Sequence, residues 1–293
     1  MKATYHKHIL NFKRASGTSR GILKTKETWY IVIEDSGKKG IGECGILRGL
    51  SYDDRPDYEE RLRWTCAHIT KGLENLWEAL KEFPSIQFGV EMAFRSLEAP
   101  NPFVLFPSKF TDHRDAIAIN GLVWMGDAVF MKEQIEQKLE AGFDCIKMKI
   151  GAIDFEKEMA LLRFIRTHYD ASKITLRVDA NGGFAFAKAK EVLKQLAILD
   201  IHSIEQPIAV GNWEQMKELC AETPTPIALD EELIGITDVT KKRDVLQTIR
   251  PQYIILKPSF VGGFKGSEEW IDQAEALDIG WWITSALESN VGL

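Results

Sequence analysis

The chain has 293 residues, 45% of them hydrophobic and 27% charged, the balance of a folded globular protein with enough apolar residues for a sizeable core. A formal charge of −6 and the lack of any basic run argue against a nucleic-acid partner. With no hydrophobic signal segment and no apolar run of membrane-spanning length, we expect a cytoplasmic protein that acts on a small molecule and has no membrane partner. Cys44, Cys66, Cys145 and Cys220 are scattered without zinc-like spacing, which suits free thiols in a reducing compartment. Composition says nothing of oligomeric state. An anionic substrate would have to be held by local cations, because the global field opposes it.

Residues 1–105 are expected to form an α+β unit that caps the rest. Tyr5–Phe12 and Thr28–Glu34 carry strand patterns. Between them, Ala15-Ser16-Gly17-Thr18-Ser19-Arg20-Gly21 is small, flexible and singly cationic. A hairpin loop is the simpler expectation. A mobile lid is the functional one, with Ser19 or Arg20 closing on a substrate carboxylate. Gly40–Leu47 is too glycine-rich for a regular strand and suggests a bulged edge. Asp57–Leu80 and Phe88–Ala99 predict helices, the second closed by Ala99-Pro100-Asn101-Pro102. His6 and His8 share a strand face. A solvated face outweighs a metal pair there, because no third ligand is near in sequence.

Residues 106–293 change to repeated strand–helix units. The predicted strands are Ala116–Asn120, Cys145–Ile150, Ile174–Asp179, His202–Glu205, Ile227–Asp230, Tyr253–Lys257 and Trp281–Ser285. The helices between them are Asp127–Ala141, Asp154–His168, Phe186–Leu199, Trp213–Cys220, Thr237–Thr248 and Ser267–Leu277. Seven alternating units argue for α/β architecture of the (β/α)7β, TIM-like barrel kind. No Gly-x-Gly-x-x-Gly turn follows the first strand, which argues against a dinucleotide fold. The chain stops at Val291-Gly292-Leu293, soon after the seventh strand. A barrel needs an eighth, so we expect the C-terminal end to be missing from the sequence.

The chemistry centres on Cys145–Gly151. Ile146, Met148 and Ile150 alternate with Lys147 and Lys149, so two ammonium groups point the same way from one strand. Inside a barrel that is costly unless carboxylates or a ligand answer them. Asp179 lies 30 residues after Lys149, Glu205 26 further on, Asp230 25 further and Lys257 27 further. Each ends a short apolar run, where barrel active sites sit. Three converging carboxylates would repel one another unless a cation lay between them, and hard oxygen ligands suit Mg²⁺, with Mn²⁺ able to substitute. Lysines about four strands apart would flank that metal. The set suits abstraction of a proton α to a carboxylate, where the weakly acidic C–H needs charge stabilisation of the enediolate. A lysine base must be neutral when it acts, and neighbouring positive charge favours that form.

Each residue also has a simpler explanation. A single strand-end acid is more often a helix cap than a ligand. Asp179 could cap through Asn181-Gly182, Glu231-Glu232 could be ordinary first-turn acids, and Lys257 before Pro258 could be solvated. The joint register of all five favours a site.

Lys147-Met148-Lys149, Val178-Asp179-Ala180-Asn181, Ile204-Glu205-Gln206-Pro207, Leu229-Asp230-Glu231 and Leu256-Lys257-Pro258-Ser259 resemble the motif series of the enolase superfamily, muconate-lactonising subgroup. Gly42-Glu43-Cys44, Arg48-Gly49-Leu50-Ser51, Arg177 and Ser285-Ala286-Leu287-Glu288-Ser289 are most similar to the o-succinylbenzoate synthase family. That family comprises dehydratases of menaquinone biosynthesis, whose substrate is a cyclohexadiene carboxylate with a succinyl chain. The resemblance implies a capping domain and a (β/α)7β barrel. It implies Mg²⁺ on Asp179, Glu205 and Asp230, Lys149 as the proton-transfer base and Lys257 as a fixed positive charge. The candidate substrate or supporting contacts are Lys147, Arg177, Asn181, Ser259, Gly262 and Ser285, with Ser19 and Arg20 from the lid reading of their loop. The sequence departs from many members at Gln206, where they carry a second acid. An N-acylamino acid racemase or dipeptide epimerase of the same superfamily is the alternative.

Overall fold

The structure, a computed structural model, describes residues 1–18, 21–151 and 153–293. The expected lid contacts Ser19 and Arg20 lie outside the described residues.

The N-terminal unit is a three-stranded antiparallel sheet, β1 (Lys2–Thr18), β2 (Gly21–Asp35) and β3 (Lys38–Gly45), in that order. Helices α1 (Tyr58–Ala67), α2 (Leu73–Ala79) and α3 (Pro84–Glu98) follow. Alternation on β2 sends Trp29, Ile31 and Ile33 to one face, where they bury against Leu62, Leu76, Leu80, Phe83, Ile86 and Val90. His6 and His8 are exposed on β1.

Three expectations need correction here. β3 is not bulged, since it pairs with β2 without interruption from Gly45↔Thr28 to Lys38↔Asp35. Its glycines admit the helix behind it: a Cβ on Gly42 would stand 1.9 Å from the Gly89 carbonyl oxygen, and one on Gly40 2.1 Å from that of Ala93. The predicted helix Asp57–Leu80 is two helices separated by a 3₁₀ turn, because Gly72 adopts a φ of +81°. Helix α3 starts at Pro84, four residues before the predicted Phe88. Proline suits a first turn, and Asp53 Oδ2 accepts from the Ser85 amide (2.9 Å) and hydroxyl (2.6 Å).

Asp53 is fully buried, and its Oδ1 has no hydrogen-bond partner. Burial pushes its carboxyl up to about 7, against the pull of the Ser85 hydrogen bonds. The folded state therefore keeps a proton that the unfolded chain releases near the ordinary carboxylate pKa of about 3.9. This contribution to stability is full below that pKa and is lost as pH rises through about 7. We expect the native protein to lose more stability than Asp53→Asn between about pH 4.5 and about pH 7.5, read as urea midpoints. Parallel pH profiles for the two proteins would contradict it.

The second unit repeats strand and helix. Its elements are β4 (Gly121–Val123), α4 (Ala128–Glu140), β5 (Cys145–Lys149), α5 (Phe155–His168), β6 (Thr175–Asp179), α6 (Phe186–Ala197), β7 (Ser203–Glu205), α7 (Trp213–Glu222), β8 (Ile227–Leu229), α8 (Val239–Ile249), β9 (Tyr253–Leu256), α9 (Pro258–Val261), α10 (Gly263–Glu275) and β10 (Gly280–Ile283). Side chains of Asp127, Asp154 and Asp238 cap α4, α5 and α8 by accepting from amides three residues on. The strands form one seven-stranded sheet in chain order, with parallel pairing throughout. β4 and β10 are its edges, so the described strands make a curled open sheet and not a closed ring of eight.

The first strand lies at Gly121–Val123 and not at the predicted Ala116–Asn120. Ile117 and Ile119 alternate like strand residues, but they are 57% and 64% exposed, and pairing with β5 begins only at Gly121. Among the described residues no helix is long and apolar enough to cross a membrane.

The two units are joined at the loops that follow β9 and β10. Trp77 Nε1 donates to the Gly262 carbonyl at 3.1 Å, and Glu91 accepts from the amides of Phe264 and Lys265. Buried Lys26 donates to the Ala286 carbonyl at 2.8 Å. Glu43 accepts from the Ser289 hydroxyl at 2.6 Å and the Gly292 amide at 2.8 Å. The N-terminal unit thus packs against the segments that follow the C-terminal ends of β9 and β10.

Candidate active site

β5 buries Ile146 and Met148 on its outer face and turns Lys147 and Lys149 inward. Parallel register sets Lys149 opposite Asp179 on β6, and Asp179 opposite Glu205 on β7. Asp230 follows β8 directly and Lys257 follows β9. These five strand-end residues therefore come together as one layer, with the lysines on strands four apart and the carboxylates between.

Each carboxylate in the layer meets an ammonium. Lys149 Nζ lies 2.6 Å from Asp179 Oδ2 and donates to Asn181 Oδ1 at 2.8 Å. Lys147 pairs with Glu205 and lies 3.6 Å from Asp179. Lys257 pairs with Asp230 and lies 3.7 Å from Glu205 Oε1, a buried oxygen without a hydrogen-bond partner. All three acids are at most 3% exposed, so the charges persist only because they compensate one another.

Electrostatics follow from that pairing. Burial alone would raise Asp179, but Lys149, Lys147 and Lys257 hold it well below the usual carboxylate range. Burial would lower Lys147, yet Glu205 and Asp179 hold it above an ordinary lysine. Lys257 is also held above its ordinary value, burial being overcome by Asp230, Glu205 and Glu231. Burial, with Glu231 and Glu205 nearby, pushes Asp230 upward against the pull of Lys257. These tendencies compete for one proton. The charged pair is the form the geometry favours, because Lys257 has a second carboxylate, Glu205, within reach.

Among the described residues, no group of three or more His, Cys, Asp or Glu side chains lies close enough to hold an ion as it stands. The three acids lean onto lysines instead. Their chemistry nevertheless fits a hard divalent cation: three oxygen donors lie on neighbouring strand ends, and Glu205 Oε1 is buried and unbonded.

The other candidates fall into two groups. Asn181 joins the layer, accepting from Lys149 while its Nδ2 donates to Glu231 Oε1 at 3.0 Å. Its amide also donates to Asp179 Oδ1 at 3.0 Å, so Asp179 makes a local turn as well as an ion pair. Arg177 lies one layer below, opposite Lys147, with its guanidinium 4.1 Å from the Trp282 ring and a hydrogen bond to Asn120. Ser259 donates to Glu288 at 2.7 Å, Gly262 accepts from Trp77 of the N-terminal unit, and half-buried Ser285 lies just beyond β10.

Sequence reasoning overlooked the roles of Glu231, Glu232 and Gln206. The two glutamates sit in a 3₁₀ turn, both buried, where an ordinary first-turn acid would be solvated. A Gln between a strand-end acid and a proline was the signal available.

A family model described as Enolase C-terminal domain-like matches residues 130–293. An o-succinylbenzoate synthase of Desulfotalea psychrophila is 43% identical over 324 residues, covering 100% of this chain and 88% of the relative. The crystal structure of MenC from Desulfotalea psychrophila superimposes with a TM-score of 0.86 at 38% identity, covering 100% of this chain and 88% of that one. An N-succinylamino acid racemase of Thermus thermophilus is 33% identical, covering 94% of this chain and 75% of the relative. With the lysine–carboxylate layer in the register described, these matches show that the chain belongs to the enolase superfamily, muconate-lactonising subgroup.

Proposed function

We propose that the protein is a dehydratase of the o-succinylbenzoate synthase type, a carbon–oxygen lyase of menaquinone biosynthesis working in the cytoplasm. Identity of 43% over the whole chain supports the assignment. The observation that carries it is the single layer in which Lys149 and Lys257 face each other across Asp179, Glu205 and Asp230. The curled sheet is then the family's (β/α)7β barrel, and the antiparallel unit its cap.

Asp179, Glu205 and Asp230 would hold Mg²⁺, with Mn²⁺ able to substitute. When bound, the cation supplies positive charge beside the substrate carboxylate, where negative charge grows as the α-proton leaves. Lys149, oriented by Asn181, takes that proton as the α C–H bond breaks. Lys257 stays protonated and faces the developing charge from the other side. Electrons from the broken C–H bond expel the hydroxyl group as the C–O bond breaks. Lys149 returns its proton to the departing oxygen, so water and an aromatic ring result. Aromaticity drives the elimination, which one base can complete. The racemase alternative rests on the same two lysines, which could serve opposite faces of a carbon acid, and on the Thermus relative.

Removing divalent cations with a chelator should stop formation of the aromatic product, followed by ultraviolet absorbance, and added MgCl₂ should restore it. Unchanged turnover in excess chelator would overturn the metal assignment.

A further inference from the structure

We infer that Gln206 is a positioning residue: its side-chain amide sets the spacing of the Glu205 and Asp230 carboxylates. The inference rests on the metal reading above and extends it to a residue that touches neither metal nor substrate.

Gln206 follows Glu205 directly and is completely buried. Its φ is +41°, a left-handed conformation that a non-glycine residue adopts only when its surroundings enforce it. The backbone shows what enforces it. Its amide donates to the Ala228 carbonyl at 2.9 Å, and its carbonyl accepts from Gly182 at 2.7 Å, so the residue bridges β8 and the turn after β6.

The turn carries the side chain across to β8. Oε1 accepts from the Asp230 amide at 3.3 Å and the Glu232 amide at 3.2 Å. Nε2 donates to the Ile208 carbonyl at 3.1 Å and to Glu232 Oε2 at 3.2 Å. Glu232 is anchored in turn, its Oε1 accepting from Trp213 Nε1 at 2.7 Å and the Gly211 amide at 2.8 Å. All the hydrogen-bonding capacity of the amide is used. One side chain thus ties the backbone of one proposed ligand to that of another.

With Glu232 opposite, a neutral amide at 206 meets every partner. A carboxylate at 206 could still accept from the two backbone amides. It could not donate to Ile208 or Glu232, and it would set a second acid against Glu232 inside the protein. A methionine would keep the volume and lose every bond. Supporting partners of metal ligands, when removed, typically cost about 10–100-fold in metal affinity.

The test is calorimetric titration of Mg²⁺ into the native protein, Gln206→Met, Gln206→Glu, and the double variant that combines Gln206→Glu with Glu232→Gln. A thermal melt of each in chelator confirms folding. We expect Mg²⁺ to bind about 10–100-fold more weakly to both single variants. The double variant should recover part of the loss, because it exchanges the amide and the carboxylate between the two positions while the bond to the Ile208 carbonyl stays lost. The amide now at position 232 can donate to the carboxylate at position 206 while still accepting from Trp213 and Gly211. A purely structural role would lower the melting temperature without this reversal of affinity. Native affinity in a folded Gln206→Met would overturn the inference while leaving the metal reading intact, as would a folded double variant no better than Gln206→Glu. No Mg²⁺ binding by the native protein would overturn both.

Discussion

Lys149→Ala is expected to abolish turnover together with any exchange of the substrate's α-proton. General bases of this kind contribute about 10²–10⁴-fold, and here the same amine is also asked to protonate the departing oxygen. No other described lysine can take over. Lys147 lies two residues back on the same face and is engaged by Glu205 and Asp179. Lys257 stands across the carboxylates, paired with Asp230. Lys257→Arg separates the two chemistries. Arginine keeps the charge but is a poor proton donor, so a one-base dehydratase should keep measurable activity, whereas a racemase needing a donor on the second face should lose nearly all of it. If Lys257→Arg folded, bound Mg²⁺ and substrate normally, and were as inactive as Lys149→Ala, the one-base account would fail.

Glu205→Ala should be strongly destabilising. Glu205 pairs with Lys147, stands 3.7 Å from Lys257, and its side chain is 3% exposed. Removing one partner of a buried ion pair leaves the other charge uncompensated and typically costs about 3–5 kcal/mol. Asp179, 3.6 Å from Lys147, is a longer and already occupied substitute. Glu205→Ala together with Lys147→Met should regain much of the loss, since replacing both charges removes the desolvation penalty. Urea unfolding in chelator measures both. A Glu205→Ala protein within about 1 kcal/mol of native would show that the layer does not depend on mutual compensation.

The layer was legible in sequence because each member is the polar end of a short apolar run, and strand periodicity points such residues to one end of a parallel sheet. The same periodicity misled at Ile117 and Ile119, which alternate correctly but have no neighbouring strand there to pair with. Gly72 broke a helix that apolar spacing alone had joined. Gly40 and Gly42 suggested a bulge because the helix they admit, packed against their backbone, comes from more than 40 residues away. Gln206, Glu231 and Glu232 escaped for a different reason. Their partners follow from a left-handed turn at Gln206 and a 3₁₀ turn after Asp230, and neither leaves a periodic trace. Lys26 meets the Ala286 carbonyl across 260 positions, a contact with no local trace in sequence.

The most direct test of the account compares two reactions on one preparation in Mg²⁺. Dehydration of the succinyl-bearing hydroxycyclohexadiene carboxylate is followed by the absorbance of its aromatic product, and racemisation of N-succinylamino acids by the change in optical rotation. The account predicts efficient dehydration that disappears in Lys149→Ala, with racemisation slower or absent. Racemisation by a protein that leaves the cyclohexadiene untouched would contradict it.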